Sequence, residues 1–202
     1  MKKMLMLALM LVAGSALGAV YTCDFENGEL PLGYYGDGDP PMICETVMAP
    51  DPVFAGDYSL RCIDNAAGGT PQALMVWVKG LMDGDVVNAG FYRYDDTPGA
   101  SPSIRIWGHW NDDPMDLAGY SGSAGGNGDY GEGLGWDYHE WTWTVEAGHT
   151  GLIIEARTYS VIGDTAWIDD LFVDAPAHAE VIMPEGAVAT GHGTWSQVKA
   201  LY

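Results

Sequence analysis

The stretch Thr165-Ala-Trp-Ile-Asp-Asp-Leu-Phe-Val173 alternates like a β-strand and is rich in β-forming residues. Two adjacent acids, Asp169 and Asp170, lie in its middle. An apolar strand rarely contains two carboxylates unless something compensates their charge, because burying an unpaired charge is very unfavourable. The stretch therefore predicts a core β-strand and a partner for its acids.

A second acid-bearing strand, Tyr21-Thr-Cys-Asp-Phe-Glu-Asn-Gly28, lies near the other end of the chain. If the two strands are neighbours, their four acids lie close together with no Lys or Arg nearby. A hard cation such as Ca²⁺ would compensate this cluster. Alternatively, the acids point into solvent from the sheet edges, as most acids do. The four acids are Asp24, Glu26, Asp169 and Asp170.

Within such a calcium site, we expect Glu26 and Asp170 to supply carboxylate oxygens. Asp24, Asp57 or Asp169 would complete the shell together with backbone carbonyls. Alternation along a strand lets only one of Asp169 and Asp170 face the ion directly. Asp170 is the better candidate, because Asp169 shares the other face of the strand with Trp167.

The first eighteen residues predict a signal peptide. Met1-Lys2-Lys3 is a positive segment, Met4 to Ala13 is apolar, and Ala16-Leu-Gly18 resembles a small-residue cleavage site. The apolar run is too short for a membrane span. We therefore expect a mature protein that is secreted or displayed at the cell surface.

The chain is strongly acidic. Loss of Lys2 and Lys3 with the signal peptide takes the formal net charge from −20 to −22. Such a charge repels nucleic acid and anionic membranes, so neither is expected as a partner. A hydrophobic content of 48% argues against disorder.

Three cysteines, Cys23, Cys44 and Cys62, enter an oxidising compartment if the chain is exported. We expect one disulfide and one free thiol. Cys44–Cys62 is the favoured bridge, because each residue lies in a short strand-like run. Cys23–Cys62 is the alternative.

The pattern of strands and turns predicts one all-β domain over residues 19–176, an antiparallel β-sandwich of about nine strands. Gly28 to Pro41 is interpreted as a loop, and the Gly- and Asp-rich stretch Asn111 to Gly135 is interpreted as a long functional loop. Residues 177–202 are interpreted as a linker and tail. In the tail, Trp195 and Tyr202 lie at helical spacing, typical of a segment that docks to an export or surface partner or packs as a short helix.

Three short motifs, Asp24-Phe-Glu-Asn-Gly28, Gly56-Asp-Tyr-Ser-Leu60 and Trp167-Ile-Asp-Asp-Leu171, resemble those of secreted jelly-roll carbohydrate-binding modules. The galactose-binding-like β-sandwiches share the same outline. The resemblance covers about Val20 to Asp174 and implies a jelly roll with a structural Ca²⁺. The cysteines at positions 23 and 62 and the Asn111–Gly135 stretch depart from the family pattern.

Aromatic and basic residues indicate where a glycan could bind. Sugar rings stack on Trp or Tyr, while their hydroxyls pair with planar polar groups. Alternation places Arg105 with Trp107 and Arg157 with Tyr159, which predicts a cleft lined by these four side chains. Trp110 and Trp136 are further stacking candidates. The alternative is that the arginines form cross-strand ion pairs on an exposed sheet face.

The sequence therefore predicts a secreted, non-catalytic module with a structural calcium ion that binds a polysaccharide or oligosaccharide. A structural or adhesive surface protein is the first alternative. A small glycoside hydrolase or lyase is the second, although no nucleophile-and-base motif is present. Glu140 and Glu155 are the acids that could form a glycosidase pair.

Overall fold

The computed structural model describes residues 18–97, 101–131 and 135–185, and the backbone of residues 188–191. Those residues contain thirteen β-strands and no α-helix. No helix able to span a membrane is found among them. The strands are β1 (Gly18–Cys23), β2 (Gly33–Asp37), β3 (Met42–Val47), β4 (Ser59–Asp64), β5 (Gly68–Lys79), β6 (Val86–Asp95), β7 (Ser103–Trp110), β8 (Gly122–Gly126), β9 (Gly135–Thr144), β10 (Gly151–Tyr159), β11 (Thr165–Pro176), β12 (Glu180–Ile182) and β13 (Val188–Gly191).

The strands form two antiparallel sheets, which confirms the predicted all-β sandwich. Sheet 1 contains β1, β3, β4, β6, β9, β11 and β13, and sheet 2 contains β2, β5, β7, β8, β10 and β12. In sheet 2, β10 lies at the centre between β5 and β7. Apolar residues from the two sheets pack between them, with Phe91 and Ile168 from sheet 1 and Ile106 and Ile154 from sheet 2 fully buried.

Strand β11, the stretch that opens the sequence analysis, lies at the centre of sheet 1. It pairs with β6 along one edge. Its other edge pairs first with β4 and then with β1. The first and last acid-bearing strands are therefore neighbours, which is the condition for their acids to lie close together.

A β-bulge interrupts β11 at its two acids. The register with β6 shifts between Asp169 and Phe172, and Asp170 has a positive φ of 47°. Without the extra residue, alternation from Ile168 would turn Asp170 into the core. The bulge instead returns Leu171 to the core face.

Four strands differ from the sequence-based prediction. β2 and β8 lie in stretches interpreted as loops, and β12 and β13 lie in the segment interpreted as a linker. β12 pairs with the second half of β5, and Ala179 just before it packs in the core. The linker interpretation is therefore wrong for residues 177–182. The predicted signal peptide, apart from Gly18, and the predicted tail helix lie outside the described residues.

Cys44 and Cys62 lie directly opposite each other on β3 and β4. Their sulfur atoms are 3.5 Å apart as two thiols. Directly opposed residues of an antiparallel pair have a Cα separation that a disulfide can span. Cys23 is also buried, and burial raises the pKa of its thiol to about 12. The Cys44–Cys62 bridge stays a prediction that this register permits.

We expect thiol labelling of the exported protein, unfolded without a reductant, to modify one cysteine per chain. Before unfolding, labelling should be slow, because Cys23 is buried and protonated. The variant Cys44→Ser should expose two reactive thiols after unfolding. Three labels in the wild-type chain would contradict the bridge, and a Cys23–Cys62 cross-linked peptide would contradict the pairing.

Candidate functional site

The outer face of sheet 2 contains a groove built on β7, β10 and β5. Along β7, Ile104 and Ile106 point into the core, so Arg105 and Trp107 point outward. Along β10, Ala156 points into the core and Arg157 points outward. A cleft of about 190 Å³ opens over this face. We call it the Trp107 groove; it is lined by Tyr35, Gln72, Trp107, His109, Tyr120, Ser123 and Arg157.

A wider cleft of about 680 Å³ continues the groove along β2 and β5. Tyr35, Gln72 and Arg157 line both clefts. Its volume falls in the range of roughly 300–1,000 Å³ that is typical of small-molecule sites. The two clefts together form an elongated depression, a shape that suits an extended ligand.

Arg105 and Arg157 lie directly opposite each other across β7 and β10. The guanidinium carbon of Arg105 is 4.2 Å from the ring centroid of Tyr130 and 5.4 Å from that of Trp107. The guanidinium carbon of Arg157 is 5.3 Å from the Trp107 centroid. Both arginines therefore contact aromatic rings, as cation–π pairs do.

Neither of these arginines makes an ion pair or a hydrogen bond within the described residues, and the Nε atom of each is buried without a partner. Burial lowers the pKa of Arg105, and the neighbouring charge of Arg157 lowers it further. Among the described residues, the alternative of cross-strand ion pairs on this face therefore finds no support. Arg157 lines the groove, whereas Arg105 lies beside it against the ring of Tyr130.

Arg93 shows what a structural arginine does in this fold. It is buried, it donates to the Asp137 carboxylate at 2.9 Å, and it donates to the backbone oxygens of Ile104 and Asp129. These bonds link β6 of sheet 1 to β7 of sheet 2. Arg105 and Arg157 have no comparable bonds, so their role differs from that of Arg93.

Glu155 forms a buried polar cluster in the wall of the groove. Its side chain is 2% exposed, and its carboxylate contacts Nδ1 of His109. With the amide oriented so that its nitrogen faces the carboxylate, Gln72 donates to both oxygens of Glu155, at 2.8 and 3.1 Å. The carboxylate is thereby held away from Arg157, although the two residues share one face of β10.

Tyr130 and Tyr159 extend the aromatic surface beyond Arg105. Their ring centroids are 4.6 Å apart. Ser103 donates to the backbone oxygen of Tyr130, and Asn127 donates its backbone N–H to Ile106 at 3.0 Å. These bonds attach the loop after β8 to β7, so Tyr130 has a fixed position over Arg105.

Strand β8 lies close against β7 because it is made of small residues. Gly126 is paired with Trp107, and a Cβ atom at Gly126 would collide with the backbone of β7. Ser123 on the same strand accepts a hydrogen bond from the Trp107 indole nitrogen at 3.3 Å. β8 therefore sets the orientation of the Trp107 ring.

Two of the predicted stacking residues lie elsewhere. Trp110 is 4% exposed, belongs to the core, and stacks on His149 with a centroid distance of 4.7 Å. It is three residues from Trp107 on a strand, so it points to the opposite face. Trp136 lies on β9 of sheet 1, where its ring packs against Tyr94. The prediction that Trp110 and Trp136 line the cleft is therefore wrong.

The predicted calcium ligands occupy the region where β1 and β11 meet. Glu26 accepts hydrogen bonds from the backbone N–H groups of Asp57 and Tyr58, at 2.8 and 3.0 Å. A Cβ atom at position 56 would collide with the Glu26 carboxylate, so Gly56, with a positive φ of 69°, is required there. Asp57 contributes its backbone N–H to this contact.

The two acids of β11 have different surroundings. Asp169 is fully buried and accepts hydrogen bonds from the backbone N–H groups of Phe54 and Ala55, at 3.0 and 3.2 Å. Asp170 has a buried carboxylate oxygen without a hydrogen-bond partner in the described residues. Burial raises the pKa of Asp170, and the charges of Asp24 and Glu26 raise it further.

Among the described residues, no group of three or more Asp, Glu, His or Cys side chains is arranged to hold a metal ion. A calcium ion here would therefore take many of its ligands from backbone carbonyls. The unpaired oxygen of Asp170 next to two further negative charges fits such an ion. Asp169, whose oxygens accept bonds from three backbone N–H groups, has less capacity left for a metal.

The possible glycosidase pair is not brought together. Glu140 lies on β9 of sheet 1 and accepts a hydrogen bond from the Tyr138 hydroxyl. Glu155 lies on β10 of sheet 2. The two acids belong to different sheets, so they do not flank one bond of a bound sugar.

Several residues of the groove were not identified as ligand candidates from sequence. Tyr35, Tyr120 and Tyr130 all lie in stretches that the sequence analysis interprets as loops. Gln72 begins an apolar run, so the sequence predicts that it belongs to a core strand. Of these residues, only His109 could have been identified from sequence, because alternation along the strand places it on the same face as Arg105 and Trp107.

Comparison with known proteins gives no family. No family model matches the sequence, and no significant match to a curated protein was found. Structural similarity is found to β-domains of several kinds. A xylan-binding domain of Paenibacillus barcinonensis Xyn10C aligns over 77% of this chain and 92% of its own, with 15% identity and a TM-score of 0.46.

Two further structures show that the similarity extends to β-domains of other kinds. The first cleaved adhesin domain of Lys-gingipain from Porphyromonas gingivalis aligns over 77% of this chain and 98% of its own, with 13% identity and a TM-score of 0.45. The enzymatically active domain of tailspike protein 4 from bacteriophage CBA120 has 12% identity and a TM-score of 0.47. This chain covers 75% of its own length and 20% of the tailspike chain in that alignment. At these scores, function has to be inferred from the groove itself.

The two tryptophans of β7 should respond differently to truncation. Trp110→Ala removes a core side chain and should lower the free energy of unfolding by about 3–5 kcal/mol. Trp107→Ala removes a partly exposed side chain and should cost much less. Urea unfolding of both variants measures the difference. Equal losses would contradict the assignment of Trp107 to the groove.

Proposed function

We propose that the protein is an exported glycan-binding module whose ligand lies in the Trp107 groove. The observation that carries the proposal is the pair Arg105 and Arg157, two guanidinium groups beside the ring of Trp107 that have no ion-pair partner among the residues the structure describes. Sugars are bound by aromatic rings that contact their C–H faces and by planar polar groups that pair with their hydroxyls. The groove offers both on one rigid sheet face.

The position of the groove supports binding of an extended chain. Trp107, Tyr35 and Tyr120 supply separate aromatic surfaces, and the cleft continues past Arg157 along β5. Polar side chains on regular strands are held more precisely than those on loops. A polysaccharide or oligosaccharide segment is therefore the ligand class that fits best.

The binding proposal is tested by titrating the protein with a panel of soluble polysaccharides and comparing Trp107→Ala. Loss of one aromatic platform should weaken binding by about 1–3 kcal/mol, by analogy with base stacking on aromatic side chains. Trp141→Ala is the matched control, because Trp141 is 40% exposed on β9 of sheet 1 and is not among the residues that line the groove.

Two outcomes would contradict the proposal. No binding to any polysaccharide would favour a structural or adhesive surface protein. Equal weakening by Trp107→Ala and Trp141→Ala would exclude the groove as the binding site. The same incubations, followed by size-exclusion chromatography of the polysaccharide, test the enzyme alternative, since cleavage would shorten the chains.

We also propose that a structural Ca²⁺ binds between β1 and β11, with Glu26 and Asp170 as its carboxylate ligands and Asp24 nearby. The unpaired, buried oxygen of Asp170 supports this assignment. A divalent cation would offset the repulsion among the three acids and would stabilise the bulge of β11. The ion would have a structural role, since the groove lies on the other sheet.

Calcium should raise the thermal stability of the mature protein. At a hundredfold excess over the dissociation constant, ligand linkage adds about 2.7 kcal/mol to the free energy of unfolding. Melts with Ca²⁺ and with a chelator should differ by several degrees, and Asp170→Asn should remove the difference. Asp83→Asn, which changes an exposed acid in the turn before β6, should retain it. Identical melts of the wild-type protein in both conditions would exclude the ion.

A further inference from the structure

The charge balance of this chain makes its two unpaired arginines unusual. The sequence has 28 acidic residues against 8 lysines and arginines. Among the described residues, every other basic side chain of this kind has a carboxylate partner. Arg61 pairs with Glu45 and Asp51, Lys79 with Glu180, and Arg93 with Asp137.

The arrangement of Arg105 and Arg157 opposes folding unless something offsets it. Like charges directly opposite each other on antiparallel strands repel. Burial of both Nε atoms removes part of the water that would screen them. Since nothing in the described protein neutralises them, the pair fits a negatively charged group supplied from outside.

The carboxylates nearest the pair are directed elsewhere. Glu155 shares the face of Arg157, but its two oxygens are occupied by His109 and Gln72. Asp37 lines the wider cleft with Arg157, yet it forms no ion pair with it. Tyr130 lies over Arg105 and contacts it through its aromatic ring. The acids in the described part of the chain thus leave both arginines without an ion pair.

On these grounds, and resting on the proposed function, we propose that the Trp107 groove selects anionic glycans. A carboxylate or sulfate group of a sugar would lie between Arg105 and Arg157, which have the planar donors that bind such groups in bidentate fashion. The sugar ring carrying that group would contact the aromatic side chains of the groove. A strongly acidic protein repels polyanions in general, so binding would depend on this one pair.

The test compares polymers that differ in charge alone. Polygalacturonate is matched with its fully methyl-esterified form, and dextran sulfate is matched with dextran. We expect the wild-type protein to bind at least one charged polymer about tenfold more tightly than its neutral partner, because charge-assisted hydrogen bonds are stronger than neutral ones. Comparing polygalacturonate with dextran sulfate shows whether the protein prefers a carboxylate or a sulfate group.

Substitutions of Arg105 and Arg157 test whether these two residues cause the preference for charged polymers. Arg105→Gln and Arg157→Gln should each weaken binding of the charged polymer far more than binding of its neutral partner, so that most of the preference is lost. Arg61→Gln is the control, since it removes the same charge from an arginine that is ion-paired on sheet 1. Non-specific attraction predicts equal effects from all three substitutions, and that result would overturn the proposal.

Melting temperatures separate a ligand role from a structural role. Arg105→Gln and Arg157→Gln break no ion pair among the described residues; they lose cation–π contacts but relieve a repulsion, so the melting temperature should change little. A clear fall in both variants would show that the pair stabilises the fold, and would overturn the proposal.

The outcomes distinguish this inference from the proposed function. If neutral and charged polymers bind equally well and both need Trp107, the protein binds glycans and the selection for charge is wrong. If no polymer binds, the glycan-binding function fails first. A preference for charge that survives Arg105→Gln and Arg157→Gln would place the anion elsewhere and would also refute the inference.

Discussion

The pairing of β11 on both of its edges is the constraint on which the rest of the structure depends. This strand joins β6 to β4 and β1, and so connects residues from both ends of the domain. It does so although two acids lie in its middle. The bulge at Asp170 and the backbone N–H groups of Phe54 and Ala55 accommodate those acids without a basic side chain. Sheet 1 can therefore be continuous, and sheet 2 has a stable surface to pack on.

The sequence predicts the strands that have strong alternation or a continuous apolar run, and it shows that β1 and β11 both carry acids, but their pairing comes from the structure. It places Arg105 and Trp107 on one face, since period-two alternation is a local property. It does not reveal β2 and β8, because their glycines carry no side-chain pattern and their pairing is set by distant strands. Sequence does not show which sheet a strand joins, so it cannot exclude Trp136 as a stacking candidate. Trp110, by contrast, could have been excluded by alternation alone.

The two proposed sites lie on different sheets and use opposite electrostatics. Between β1 and β11, Asp24, Glu26 and Asp170 present negative charges that favour a cation. On the outer face of sheet 2, two positive charges favour an anion. Each cluster is costly when left without a partner, because like charges repel most strongly where water is excluded. The separation by a packed apolar core lets each cluster be filled without the other.

The alternation of β7 has a consequence for how such a protein can evolve. Every second side chain of this strand is fixed by the sandwich interior, and the remaining ones face the groove. Substitution at positions 105 and 107 changes the chemistry presented to a ligand while the packed layer stays the same. A single exchange of one arginine for a neutral amide could thus turn the domain toward a new class of polymer. Ligand specificity can therefore change through substitutions on the outer face of the sheet, while the packed core keeps every intermediate folded.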